Sequence, residues 1–149
     1  MARISIFILF AITGLLGCSK VTPSDLVGTW SLDEGSLRHL PSELQKTSAT
    51  LVLNENGTFT AMDMPGLPSF PPGPPHLVNG YGVWKLMSDG YDQHIQLNFQ
   101  ELGGAISYGT QVYVSRISLS VELYYFLGGD EDNGWRIDLV KNGLVNASQ

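Results

Sequence analysis

The chain has 149 residues, 8 Lys+Arg against 14 Asp+Glu, 17 Gly, 8 Pro and one Cys. That length fits one domain, and a net charge of −6 argues against a nucleic-acid binder, which needs a basic face to neutralise phosphates. With 43% hydrophobic and 15% charged residues the chain is not of the charge-rich disordered kind. One Cys excludes an intramolecular disulfide framework and a Cys-based zinc cluster.

The N-terminus reads Met1-Ala2-Arg3, then an uncharged stretch from Ile4 to Leu16, then Gly17-Cys18-Ser19-Lys20. A basic start, a short apolar stretch and a small residue before a cut describe a secretory signal. The stretch is shorter than the ~20 residues of a permanent transmembrane helix. Leu15-Leu16-Gly17-Cys18 resembles the lipobox of bacterial lipoproteins. That resemblance implies removal of residues 1–17, a diacylglyceryl thioether on Cys18 and an acyl (palmitate-type) chain on the new α-amine. It thus implies a membrane as partner through Cys18, since one chain binds a bilayer marginally and two or more hold firmly. With Ser19 rather than Asp second in the mature chain, the sorting pattern favours the outer membrane, on its periplasmic face. The mature chain is then residues 18–149, with Arg3 lost and a net charge of −7. Residues 18–25 are expected as a lipidated tether that keeps the domain within roughly 25 Å of the bilayer at ~3.3–3.6 Å per residue. The barrel domain is expected over 26–142, with a disordered tail at 143–149.

Period-two alternation predicts β-structure throughout the remainder. Ile95, Leu97 and Phe99 alternate with His94, Gln96, Asn98 and Gln100, and Leu119, Val121, Leu123, Tyr125 and Leu127 alternate with Ser118, Ser120, Glu122, Tyr124 and Phe126. Eight strands are expected, at about 27–32, 48–53, 58–62, 81–87, 94–100, 110–116, 118–127 and 135–141, separated by turn chemistry such as Asn54-Glu55-Asn56-Gly57 and Ser88-Asp89-Gly90. A helical turn is expected around Pro41 to Lys46, with Pro near its start and Glu43 in its first turn. Six of the eight prolines fall in Met64-Pro65-Gly66-Leu67-Pro68-Ser69-Phe70-Pro71-Pro72-Gly73-Pro74-Pro75-His76. Proline cannot donate to a sheet ladder, so residues 64–76 are expected as a loop. They form either a stiff crossover or a lid or docking segment presenting Leu67 and Phe70. Closure of eight short strands into a barrel removes exposed sheet edges. The fold class is therefore all-β, an antiparallel up-and-down barrel of about eight strands with little helix.

Leu26-Val27-Gly28-Thr29-Trp30, with its Gly-x-Trp on the first strand, resembles the start of lipocalins and lipocalin-like proteins. The stretch from Thr50 to Phe59 is similar to the strand–Asn-Gly–Thr-Phe hairpin of lipocalin-like bacterial lipoproteins. The stretch from Leu123 to Ile137 is similar to the last hairpin of uncharacterised members of that group. These stretches cover about a quarter of the mature chain. The resemblance implies that Trp30 closes one end of the barrel against the last strand. There Arg136 either stacks over it as a cation–π pair, worth ~0.5–2 kcal/mol when partly desolvated, or points to water. The chain departs from true lipocalins in having no long C-terminal helix and no disulfide.

No catalytic constellation is legible: there is no Gly-x-Ser-x-Gly elbow, no phosphate-cradling Gly-Lys-Ser/Thr, and the one Cys is assigned to lipid. His39, His76 and His94 are far apart and lack metal-ligand spacing. Asp130-Glu131-Asp132-Asn133-Gly134 fails the calcium-loop register, because its Gly is fifth rather than sixth. Asn56-Gly57-Thr58 fits a glycosylation sequon, but turn chemistry explains Asn56 better. No enzyme activity, cofactor or metal is expected. Two functions stay open. A membrane-anchored module binds a small apolar ligand within the barrel, with Trp30, Trp84, Tyr125 and Trp135 as the ligand-binding or core aromatics. Alternatively, a closed barrel binds or inhibits a protein partner through the Pro-rich loop 64–76 or the acidic hairpin 128–134.

Overall fold

Alternating apolar side chains bury one face of each segment, and the turns between them set the register. A computed structural model describes residues 20–66, 76–90, 92–101, 109–118, 120–127, 132 and 135–143. It contains eight strands: β1 (Gly28–Leu32), β2 (Thr50–Leu53), β3 (Thr58–Pro65), β4 (Leu77–Asp89), β5 (Asp92–Glu101), β6 (Gly109–Ile117), β7 (Ser120–Leu127) and β8 (Trp135–Lys141). Each pairs antiparallel with its sequence neighbour, and β8 returns to β1 through Trp30↔Lys141, Ser31↔Val140 and Leu32↔Leu139, closing the barrel. The expected all-β up-and-down barrel is therefore the fold. The segments 1–19, 67–75 and 144–149 fall outside the described residues, and with them Cys18, Leu67 and Phe70; of the acidic hairpin only Asp132 is described.

Two short helices were not anticipated: α1 (Pro23–Leu26) and α2 (Glu34–Leu37). Conversely, the helical turn expected over residues 41–46 is a pair of hydrogen-bonded turns, Leu44 N–H to Pro41 O at 2.8 Å and Thr47 N–H to Leu44 O at 3.1 Å. Strands β3 and β4 also reach further than expected, to Pro65 and back to Leu77, pairing Met64↔Val78 and Pro65↔Leu77. Pro65 is tolerated where the strand meets its connection. A bulge between Ala61 and Met64 makes this extension possible. Strict alternation would turn Asp63 into the core. Instead Asp63 takes φ 50°, its N–H donates to Asn79 Oδ1 at 2.8 Å, and Met64 becomes the buried residue. The extra residue re-aims the side chains, as bulges do.

Among the described residues, the inward-facing side chains pack against one another in a single core. Trp30, Leu51, Leu53, Phe59, Ile95, Leu97, Phe99, Leu123, Tyr125, Ile137 and Leu139 are all essentially inaccessible to solvent. Phe59 and Phe99 meet edge to face at 4.8 Å. An eight-stranded barrel is narrow enough for side chains to fill.

The meander gives the two ends different character. The N-terminal segment, the C-terminus of β8 and three short turns (54–57, 90–91 and 118–119) share one end. The four longer connections (33–49, 66–76, 102–108 and 128–134) leave and re-enter at the other. At the first end, Leu26 is buried and its carbonyl accepts the Trp30 indole N–H at 2.8 Å. The second end is crossed by residues 33–49. Asp33 N–H donates to Asp138 O of β8 at 2.9 Å, and the Thr47 hydroxyl donates to Asp63 O of β3 at 3.0 Å. Between these ties Leu40 is buried in the core, with Leu37 and Leu44 packed against it.

Candidate functional site

The aromatic residues singled out from sequence separate into two groups. Trp30, Trp84 and Tyr125 lie in the core, and the polar atom of each is already bonded to main chain. Trp30 donates to Leu26 O, Trp84 donates to Asn54 O at 3.0 Å, and the Tyr125 hydroxyl donates to Pro65 O at 2.8 Å. Burial pushes the Tyr125 phenol far above its ordinary ionisation range, because a phenolate would be desolvated there. Tryptophan and tyrosine are buried with their N–H or O–H satisfied in just this way. The three tie the barrel wall to α1, to the 54–57 turn and to the end of β3.

Trp135 is not a core residue. It begins β8 at the long-connection end, is 59% exposed, and stacks on His39 with ring centroids 4.9 Å apart and planes 12° from parallel. Of the two alternatives for Arg136, stacking over Trp30 does not form. Arg136 faces outward, with its guanidinium carbon 4.0 Å from the centre of the Tyr124 ring. Its Nε donates to Asp138 Oδ1 at 2.6 Å, and a second nitrogen lies 3.4 Å from Glu122 Oε2. Position 136 has outward parity, whereas Trp30 points in. The cation nearest Trp30 is Lys141, 5.7 Å from its ring centre, placed there by the Trp30↔Lys141 pairing.

These residues build a groove on the outside of the barrel. The side chain of Asp33 caps α2 by accepting from Gly35 N–H at 2.8 Å. The Ser36 hydroxyl accepts from Asp138 N–H at 2.9 Å, fixing α2 against β8. The result is an open groove of about 520 Å³ lined by Asp33, Ser36, Arg38, His39, Trp135 and Arg136, among others. Beside it on β6 and β7 lies an aromatic patch on the outer wall. Tyr113 stacks on Tyr124 at 5.3 Å, and Phe126 meets both edge-on at 5.9 and 5.8 Å. Aromatic and Arg side chains are the types enriched at protein interfaces.

Sequence reasoning missed His39 and Arg38 as partners of Trp135, since they meet only because residues 33–49 fold back on β8. It also passed over Tyr113, Tyr124 and Phe126, whose signal was present: aromatic residues on the strand face that alternation assigns to water. Asn56 does serve the turn, with Oδ1 accepting from Thr58 N–H at 3.0 Å and from its hydroxyl at 2.7 Å. Among the described residues, no group of three or more His, Cys, Asp or Glu side chains could hold a metal ion, and no helix is long and apolar enough to cross a membrane.

Fold and surface define a class, a closed eight-stranded up-and-down barrel with a packed core and an aromatic groove outside. No family model, no curated protein and no solved structure matches this chain.

Proposed function

We propose that this chain is a lipid-anchored, non-catalytic barrel of the bacterial envelope, held on the periplasmic face of the outer membrane through Cys18, that binds a protein partner at its long-connection end. The supporting observation is the division of its aromatic residues. Those inside are packed together and hydrogen-bonded to their own chain, while Trp135 and its neighbours stand at an open groove. The Pro-rich connection 66–76 and the connection 128–134 emerge at that same end. A small apolar ligand inside the barrel would have to displace Phe59, Phe99 or Tyr125, so the packed core weighs toward the partner-binding reading. The lipid anchor rests on Leu15-Leu16-Gly17-Cys18 and the apolar stretch before it.

The test is photocrosslinking in intact cells, with a photoreactive residue in place of Arg38 at the groove or of Val83 on the opposite wall. The reading predicts a discrete adduct from position 38 only, lost when Trp135→Ala is added. The same adduct from position 83, or none from position 38, overturns it. Release of a stoichiometric apolar small molecule on denaturing the purified barrel would establish the ligand-carrier reading instead.

A further inference from the structure

We propose that the β6–β7 hairpin is the edge of the barrel that rests on the lipid bilayer, with Ile117 seated at the headgroup–acyl boundary and the Trp135 groove turned away from the membrane. This rests on the lipid-anchor reading and adds to it an orientation and a contact surface.

The length of free chain is the first support. Val21 is buried and is clasped by one side chain at the start of β5: its N–H donates to Gln93 Oε1 at 2.8 Å, and its carbonyl accepts from Gln93 Nε2 at 3.0 Å. Two residues, Ser19 and Lys20, separate Cys18 from this clasp, a span of three residue steps. At ~3.3–3.6 Å per extended residue the lipid attachment lies within about 10 Å of the barrel wall. Residues 21–25, expected as part of a tether, are thus fixed to the domain. Acyl chains on Cys18 would bring this end of the barrel against the headgroups.

The second support is which part of the end lies beside the anchor. Asp25 forms an ion pair with Arg116 at 2.9 Å and its carbonyl accepts from Lys141 Nζ at 2.8 Å. Arg116 is the chain neighbour of Ile117, so the segment that Gln93 clasps at Val21, beside the 90–91 turn, runs on to the β6–β7 hairpin at Asp25, and the anchor enters between these two turns.

Charge gives the third. The turn at 54–57 carries Glu55, and the turn at 90–91 is flanked by Asp89 and Asp92. Carboxylates lose hydration on approaching hydrocarbon. Ile117, by contrast, is apolar and 53% exposed, and it is held outward by a turn in which Ser118 adopts φ 58° and the Ser120 hydroxyl donates to Ile117 O at 3.1 Å. An exposed apolar side chain gains free energy on leaving water. The barrel therefore leans on this hairpin and keeps its two acidic turns clear. The opposite end of the barrel, with residues 33–49 and Trp135, then faces the aqueous space, where a partner can reach the groove.

The experiment uses the full chain, processed and lipidated in the cell, in phosphatidylethanolamine–phosphatidylglycerol vesicles. Cys18 is the only cysteine, and its sulfur is consumed by lipid, so each of Ile117→Cys, Asn56→Cys and Arg38→Cys supplies one free thiol for an environment-sensitive fluorophore. The expected result is blue-shifted emission, protection from iodide and quenching by spin-labelled lipid at position 117, with positions 56 and 38 open to iodide. A label at 117 no more protected than those at 56 or 38 overturns the orientation. Mass spectrometry of the same protein separates the two readings. Absence of the diacylglyceryl mass on Cys18 overturns the anchor, and the orientation with it. A lipidated chain with an aqueous position 117 overturns the orientation alone.

Discussion

At Gly82 strand β4 lies close against the backbone of β5, and Gly82→Ala is a sharp test of how the interior is packed. A Cβ at this position would lie 2.0 Å from Asn98 O, 2.9 Å from the Asn98 carbonyl carbon and 3.0 Å from Phe59 Cε1. The first two atoms are backbone of β5, so no side-chain rotation relieves the clash. Reaching an ordinary contact of 3.4 Å requires β4 and β5 to part locally by about 1.4 Å. Such overpacking costs ~1–3 kcal/mol, and a ladder hydrogen bond broken as the strands part adds ~0.5–1.5 kcal/mol. The sum, roughly 2–4 kcal/mol, corresponds to a fall in Tm of about 10 °C for a domain of this size. The assay is thermal and urea unfolding followed by circular dichroism, with Gly90→Ala as the reference. Gly90 has φ 72°, and a Cβ added there would meet nothing within 4 Å, so its substitution costs only the left-handed penalty of ~1–2 kcal/mol. If Gly82→Ala destabilises no more than Gly90→Ala, β4 and β5 are not in tight contact at this point.

Two further predictions concern the polar anchors. Tyr125→Phe removes the donor to Pro65 O and leaves a buried carbonyl unsatisfied, which lowers the unfolding free energy by ~1–3 kcal/mol; an unchanged urea midpoint would show that Pro65 O finds another donor. Asp25 is held below the usual carboxyl range, first by hydrogen bonds from the Thr22 backbone and hydroxyl, then by Arg116 and Lys141. Because its folded pKa is depressed, the stability it supplies is complete above the ~3.9 of a free Asp and is lost as pH falls through the folded value. Asp25→Ala is therefore less stable than wild type at neutral pH, by no more than about 1 kcal/mol for so solvent-screened a carboxylate, and the two converge in acid. A difference that stays constant as pH falls well below the range of a free Asp would place the effect in packing rather than charge.

Alternation along the chain was enough to give the barrel class, the eight strands and their order, because a strand with one buried face must write its period into the sequence. The same logic placed Trp30, Trp84 and Tyr125 where a core needs them. Two features lay beyond it. The bulge at Asp63 moves Met64 inward against simple parity, since a carboxylate cannot be buried without a partner and one extra residue is enough to turn it out. The groove at Trp135 depends on residues 33–49 returning to β8 through Ser36 and Asp138, a contact between positions 102 apart in the chain. Local periodicity reports which face of a strand is wet. It cannot report which distant segment comes to lie on it, because that depends on the closure of the barrel and the path of each connection. The address proposed at Cys18 rests on the opposite kind of signal, a linear one written in the consecutive residues Leu15-Leu16-Gly17-Cys18. Only the folded barrel, by clasping Val21 to Gln93 and Asp25 to Arg116, limits how such an anchor would set the domain on a membrane.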